Sequence, residues 1–208
     1  MQRIKDIIKY VVQPVPLFTL GLFPIILKGT SLINALLLGF AFVVSAFAVS
    51  AVNIFASKIF SKRLMSAVCV VTGSVTVCLV GFIFTKLSLF DMYNLGAVLP
   101  LTAADPLIVT GLVRQNENEK SALGVFINAG VYSAVFFSVA LVISALREFL
   151  YTGGLFGVTV LDESYRVSSA ALPFFGIIAL GLVAAVTAWV TGKIPSRRDA
   201  ERNIGYDN

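Results

Sequence analysis

The sequence predicts an all-α integral membrane protein, with six transmembrane helices arranged as two inverted three-helix repeats whose first and fourth helices are broken. Three observations carry this. The 16 Lys and Arg residues stay out of six long apolar stretches. The chain is 58% hydrophobic and 13% charged, with a mean hydropathy of +0.92, whereas soluble domains sit near 45–50% apolar and about 25% charged. Finally, prolines gather in the first and fourth stretches, where they remove helical hydrogen bonds and crowd the preceding turn.

The stretches fall at about 15–27, 32–56, 67–85, 93–113, 122–146 and 171–191, with ends good to a few residues. A span needs roughly 20 apolar residues. The first has only about 13, enough for roughly 20 Å of helix, and contains Pro14, Pro16, Gly21 and Pro24. The second, third, fifth and sixth contain no Asp, Glu, Lys or Arg and read as regular helices. The fourth contains Gly96, Pro100, Asp105, Pro106 and Gly111. Residues 1–13 read as an amphipathic cytoplasmic N-terminus rather than a cleavable signal, because no small-residue cleavage site follows. Residues 14–190 form the membrane domain, with repeats at about 14–90 and 91–190, and 191–208 a basic cytoplasmic tail.

Three is an odd number, so two three-span halves that both open on a broken segment lie in opposite orientations. Such inverted repeats gather functional sites near the midplane, where the breaks meet. Phe23-Pro24-Ile25-Ile26-Leu27 is similar to Asp105-Pro106-Leu107-Ile108-Val109 in the same place of each half. Proline kinks in an ordinary six-helix bundle are the plainer alternative.

With six crossings both termini share one side. That side receives twelve basic residues: Arg3, Lys5, Lys9, Lys58, Lys62, Arg63, Arg114, Lys120, Lys193, Arg197, Arg198 and Arg202. The other side receives Lys28, Lys86, Arg147 and Arg166. The positive-inside bias puts both termini in the cytoplasm. The net charge of +5 is therefore an orientation and anionic-lipid signal, and no nucleic acid is expected.

Asp105 is the one ionisable residue inside a span. A charge at that depth costs a few kcal/mol and marks a functional position, so a Na⁺ or proton site is one reading. A carboxyl capping the half-helix that starts at Pro106 is the other, since Asp suits the N-cap and Pro the first turn. Cys69 and Cys78 lie on opposite faces of the third span, nine residues apart at 100° each, and read as small buried apolar side chains. Thr72-Gly73-Ser74-Val75-Thr76 loosely resembles a flavin-acceptor motif but lies within a span, where small residues serve close packing. Asn34, Asn53 and Asn128 suit hydrogen bonds between helices. Arg147, Glu148, Asp162, Glu163 and Arg166 are expected in a solvated external loop or subunit contact, and Arg114 to Lys120 in a polar cytoplasmic link. The chain has no His, no phosphate loop and no catalytic triad. No catalytic, cofactor-binding or metal-ligating residue is assigned.

Several segments together resemble the paired six-helix membrane subunits of the Rnf and Nqr electron-transport complexes. They are Leu20-Gly21-Leu22-Phe23-Pro24, Leu99-Pro100-Leu101 through Gly111, Arg147-Glu148-Phe149-Leu150 with Gly153-Gly154-Leu155-Phe156-Gly157, and Ala171-Leu172-Pro173-Phe174-Phe175. The resemblance covers about residues 14–190 and is strongest to the RnfE/NqrD-like member, whose inverted sister is RnfA/NqrE-like. It implies a subunit of a redox-driven ion-translocating complex in the bacterial inner membrane, partnered by a homologous inverted six-helix subunit. In that family each of the pair gives one Cys from each broken helix to a shared [2Fe–2S] cluster. Here those positions read Phe23 and Pro106, with Asp105 beside the second. The cluster, like flavin, is therefore expected only on partner subunits. A small inverted-repeat secondary transporter and a scaffold subunit of a membrane complex are the competing functions.

Overall fold

The computed structural model describes residues 21–57, 59–86, 98–117, 119, 121–156, 158–159, 162 and 166–192. The expected N-terminal segment over 1–13, Pro14, Pro16 and the tail from 193 onward lie outside them. The described elements are α1 (Phe23–Lys28), α2 (Leu32–Ala56), α3 (Lys62–Lys86), α4 (Val98–Leu101), a π-helical turn (Leu107–Leu112), α5 (Val113–Glu117), α6 (Ala122–Thr152), β1 (Gly154–Leu155), β2 (Val158–Thr159), a 3₁₀ turn (Ser168–Ala171) and α7 (Pro173–Gly192).

Three helices are long and apolar enough to cross a membrane: α2, α3 over Leu64–Lys86, and α6. They match the second, third and fifth expected spans. The sixth appears as α7, whose apolar part is Pro173–Val186. The first and fourth appear as short pieces. Leu22 breaks the helix before α1, where Pro24 occupies the first turn. Between α4 and the π-helical turn the chain leaves the helix at Thr102–Asp105 and resumes at Pro106. The extra residue per turn after Pro106 closes at Val113, whose N–H reaches the carbonyls of both Ile108 and Thr110.

Two helices form the centre. Over their most apolar stretches α2 is 56% buried and α3 only 28%, so α3 stands at the periphery. α2 crosses α6 antiparallel, from Leu32 beside Glu148 to Ser50 level with Asn128. Since lipid tails are as apolar as leucine, hydrophobicity alone does not join such helices; close packing does, helped by small residues. The contact supplies them. Ala35, Leu38, Phe42, Ala46, Val49 and Ser50 are buried along α2, and Ala129, Tyr132, Phe136, Ala140, Ile143 and Ser144 along α6. The two sets have identical internal spacing. α3 packs on α2 and on the π-helical turn, and α7 packs on α1 and α6.

Helix α6 runs six residues past the expected end of the fifth span. At 31 residues it is about 46 Å long, longer than the roughly 30 Å hydrocarbon core. It stops at Gly153, which takes φ 72° and donates its N–H to the Phe149 carbonyl, 3.0 Å away. Two short antiparallel strands follow, with Gly154 opposite Thr159 and Leu155 opposite Val158.

Candidate functional site

The broken segments meet. A Cβ on Gly21 would overlap the Leu107 side chain and come within 2.8 Å of Asp105 Oδ1. Only glycine permits this approach. Asp105 is 1% exposed. Its Oδ1 accepts the Leu107 N–H at 2.8 Å, and its carbonyl accepts from Ile108 and Val109 at 3.0 and 2.9 Å. Capping at the start of the second half-helix is thus what one carboxyl oxygen does. The other, Oδ2, is buried without a partner.

Beside it, α3 approaches through Gly73. A Cβ there would stand 2.8 Å from the Ala103 carbonyl oxygen and 3.2 Å from Ser45 Oγ, another buried atom without a partner. Gly73 therefore serves close packing against the break. The neighbouring hydroxyls of Thr72, Ser74 and Thr76 each donate at 2.8 Å to a carbonyl one turn back, leaving the flavin-like string with no outward chemistry.

The two positions that the resemblance singles out do not fill the space between the breaks. Phe23 is 46% exposed and Pro106 is half-buried. Phe23 alone of residues 21–26 is turned outward, Gly21, Leu22, Pro24, Ile25 and Ile26 all being buried. Gly21 faces the second break, against Leu107 and Asp105. The cysteines also part company. Cys69 is buried in the core, as expected, but Cys78 is exposed on the outer face of α3, correcting the reading of both as buried.

The largest departure concerns Arg147 and Glu148, expected in a solvated external loop or subunit contact. Arg147 is fully buried and Glu148 is 5% exposed. The guanidinium makes five hydrogen bonds, all to carbonyls. Nε donates to Ala170 at 3.1 Å, and Nη1 to Ile25 and Ile26 at 3.2 and 2.8 Å. Nη2 donates to Ala171 and Leu172 at 3.0 and 3.3 Å. They lie in the last turn of α1 and at the end of the 3₁₀ turn, where carbonyls carry partial negative charge; Ile25 and Leu172 also accept the backbone N–H of Gly29 and Phe175. One cation thus caps two helix ends.

Glu148 does the converse. Its Oε2 accepts the N–H of Leu32, the first residue of α2, and its Oε1 accepts the N–H of Phe156 at 2.7 Å. Phe156 holds φ 52° in the hairpin turn, a conformation that costs a non-glycine residue of order 1–3 kcal/mol and needs such a tie. Sequence reasoning missed both residues because charge was taken to end the span. The available signal was the lack of any Gly or Pro between Val131 and Thr152, which lets the helix run on to Gly153.

Among the described residues no group of three or more His, Cys, Asp or Glu could hold a metal ion. A family model described as Rnf-Nqr subunit, membrane protein, matches residues 4–185. No curated protein matches the chain.

Proposed function

The chain belongs to the Rnf-Nqr subunit family, membrane subunits of electron-transport complexes, and we propose that it builds the membrane core of a redox-driven ion-translocating complex without ligating an iron–sulfur cluster itself. The observation that carries this is the meeting of two proline-broken segments at Gly21, Asp105 and Leu107 in a chain that the family model matches over residues 4–185. Irregular backbone at membrane depth persists only where protein or a polar cavity satisfies it, and here each break supports the other.

The residues present do not fit an iron–sulfur cluster. Ligation needs thiolates, with His as an occasional substitute. Phe23 and Pro106 offer neither, the chain has no His, and its only two cysteines sit on opposite faces of α3. Any [2Fe–2S] cluster or flavin belongs to partner subunits in this reading. A homologous six-helix subunit of opposite orientation is the proposed partner, docking where Phe23 and Leu101 leave apolar surface beside the breaks.

The inverted repeat is part of the same reading. Its support is the identical spacing of the buried residues on α2 and α6, together with matched neighbours: α3 packs on the second broken segment and α7 on the first. Residues 14–190 would then be one membrane domain of two halves, with both termini cytoplasmic and the protein in the bacterial inner membrane. Asp105 is a helix cap through Oδ1, and Oδ2 is the position open to a proton or Na⁺. Purification of the tagged chain from native membranes in mild detergent tests the assignment. Flavin-bearing and iron–sulfur subunits should accompany it. Recovery of the chain alone, active in solute transport in liposomes, would instead establish the secondary transporter.

A further inference from the structure

The same place in the two central helices is filled by very different side chains. Arg147 follows the buried set of α6 as Asn53 follows that of α2. In α6 the long cation reaches the last-turn carbonyls of α1. In α2 a short neutral amide stands instead, one turn beyond Ser50, which meets Asn116 of α5, and the polar groups here are incompletely paired. Ser50 and Asn128 are fully buried, and Asn116 and Asn53 are 4% and 5% exposed. Asn116 Nδ2 donates to Ser50 Oγ at 3.3 Å, and Asn128 Nδ2 donates to Asn116 Oδ1 at 3.0 Å. At one end of that chain Asn128 Oδ1 is buried without a partner, as is Asn53 Nδ2 one turn of α2 beyond Ser50. Burying such a group unpaired is unfavourable.

We propose that this cluster binds a small monovalent cation of the Na⁺ class, held by Asn128 Oδ1 with the remaining lone pairs of Asn116 Oδ1 and Ser50 Oγ. The ligands are hard neutral oxygens, which suit such ions. A set of amides and a hydroxyl has no carboxylate to offset a second charge, and so favours a monovalent ion over Ca²⁺ or Mg²⁺. The Asn53 amide can present its oxygen after a half-turn, since which end points inward is fixed only by its partners. Position supplies the electrostatics: the C-terminal end of a half-helix carries partial negative charge and is where transporters of broken-helix design bind Na⁺. In the other half of this chain, the corresponding helix end already has a cation in the form of Arg147.

The test is thermal unfolding of the full chain, alone or in whatever assembly it leaves its native membrane, as choline chloride is replaced by sodium chloride at constant ionic strength. The midpoint should rise saturably by about 2–4 °C. Asn128→Leu should abolish that dependence, and Asn128→Asp should bring it on at about tenfold lower sodium. If Asn128→Leu does not fold, Asn128→Asp and Ser50→Ala decide, and unchanged sodium dependence in both overturns the site. Equal midpoints in the two salts, as a bound water would give, overturn it as well. The measurement involves no electron transfer, so failure here leaves the subunit assignment intact, and failure of the assignment leaves the binding result intact.

Discussion

Phe42 and Phe136 stack face to face where α2 crosses α6, with ring centroids 3.8 Å apart and planes within 4° of parallel. Offset or edge-on arrangements are the usual preference of aromatic rings, so this pairing is imposed by the helices rather than chosen by the rings. Each ring holds the same place in its own buried series. A residue that meets its own counterpart is what a two-fold axis through a helix crossing produces, and the pair marks where the axis of the proposed repeat would pass.

Arg147→Lys should destabilise the chain by about 2–5 kcal/mol. Lysine brings three donors where five carbonyls are served, and each carbonyl left bare costs about 1–3 kcal/mol. Thermal unfolding in detergent and the subunit's level in membranes would both fall. Glu148→Gln should cost less, about 1–3 kcal/mol, because the amide still accepts from one of Leu32 and Phe156 while opposing the other.

At Asp105 two substitutions separate capping from ion handling. Asp105→Asn keeps the cap to Leu107 and should change stability by less than about 0.5 kcal/mol, whereas Asp105→Ala should cost about 1–2 kcal/mol. Loss of sodium-dependent turnover of the complex in the stable Asn variant would assign Oδ2 to the ion. Unaltered turnover would restrict Asp105 to the cap.

Gly21→Ala should cost about 1–3 kcal/mol by overpacking against Leu107. The Leu107→Ala change should partly relieve it, giving a non-additive double-mutant cycle. Additive effects would show that the breaks do not touch.

Cys78 should react with a lipid-soluble maleimide well before Cys69, given their exposed and buried positions. Neither Cys69→Ser nor Cys78→Ser should diminish the electron paramagnetic resonance signal of iron–sulfur clusters in the complex. Loss of that signal in either variant would end the reading in which this chain holds no iron.

For orientation, single cysteines introduced at Ser61, Tyr165 and Asn208 should be labelled from outside the cell only at Tyr165. The twelve-to-four split of basic residues demands it. Labelling at Asn208 from outside would invert the protein.

Much of this fold could be read from residue order because lipid imposes a coarse code: long uncharged runs become spans, and prolines within them become breaks. The bond from the Leu107 N–H to Asp105 Oδ1 suits one of the two readings open for Asp105, cap or ion site, and rests on a local pattern of two residues. The place of Arg147 was not legible, since its five acceptors come from segments more than twenty residues away on either side, and no local rule announces them. The exposure of Phe23 was not legible for a different reason. The resemblance fixed its position along the chain but not its rotation about α1, which depends on Leu22 and Ile25 finding the core.

The guanidinium of Arg147 also sets an order of events during synthesis. Ile25 and Ile26 emerge before it, but Ala170, Ala171 and Leu172 emerge after α6 is complete. Until the 3₁₀ turn and Leu172 are made, three of its five hydrogen bonds wait at the end of α6 for acceptors that do not yet exist. A nascent chain halted before the 3₁₀ turn therefore carries a buried cation three acceptors short, a chemical mark that separates a truncated subunit from a finished one.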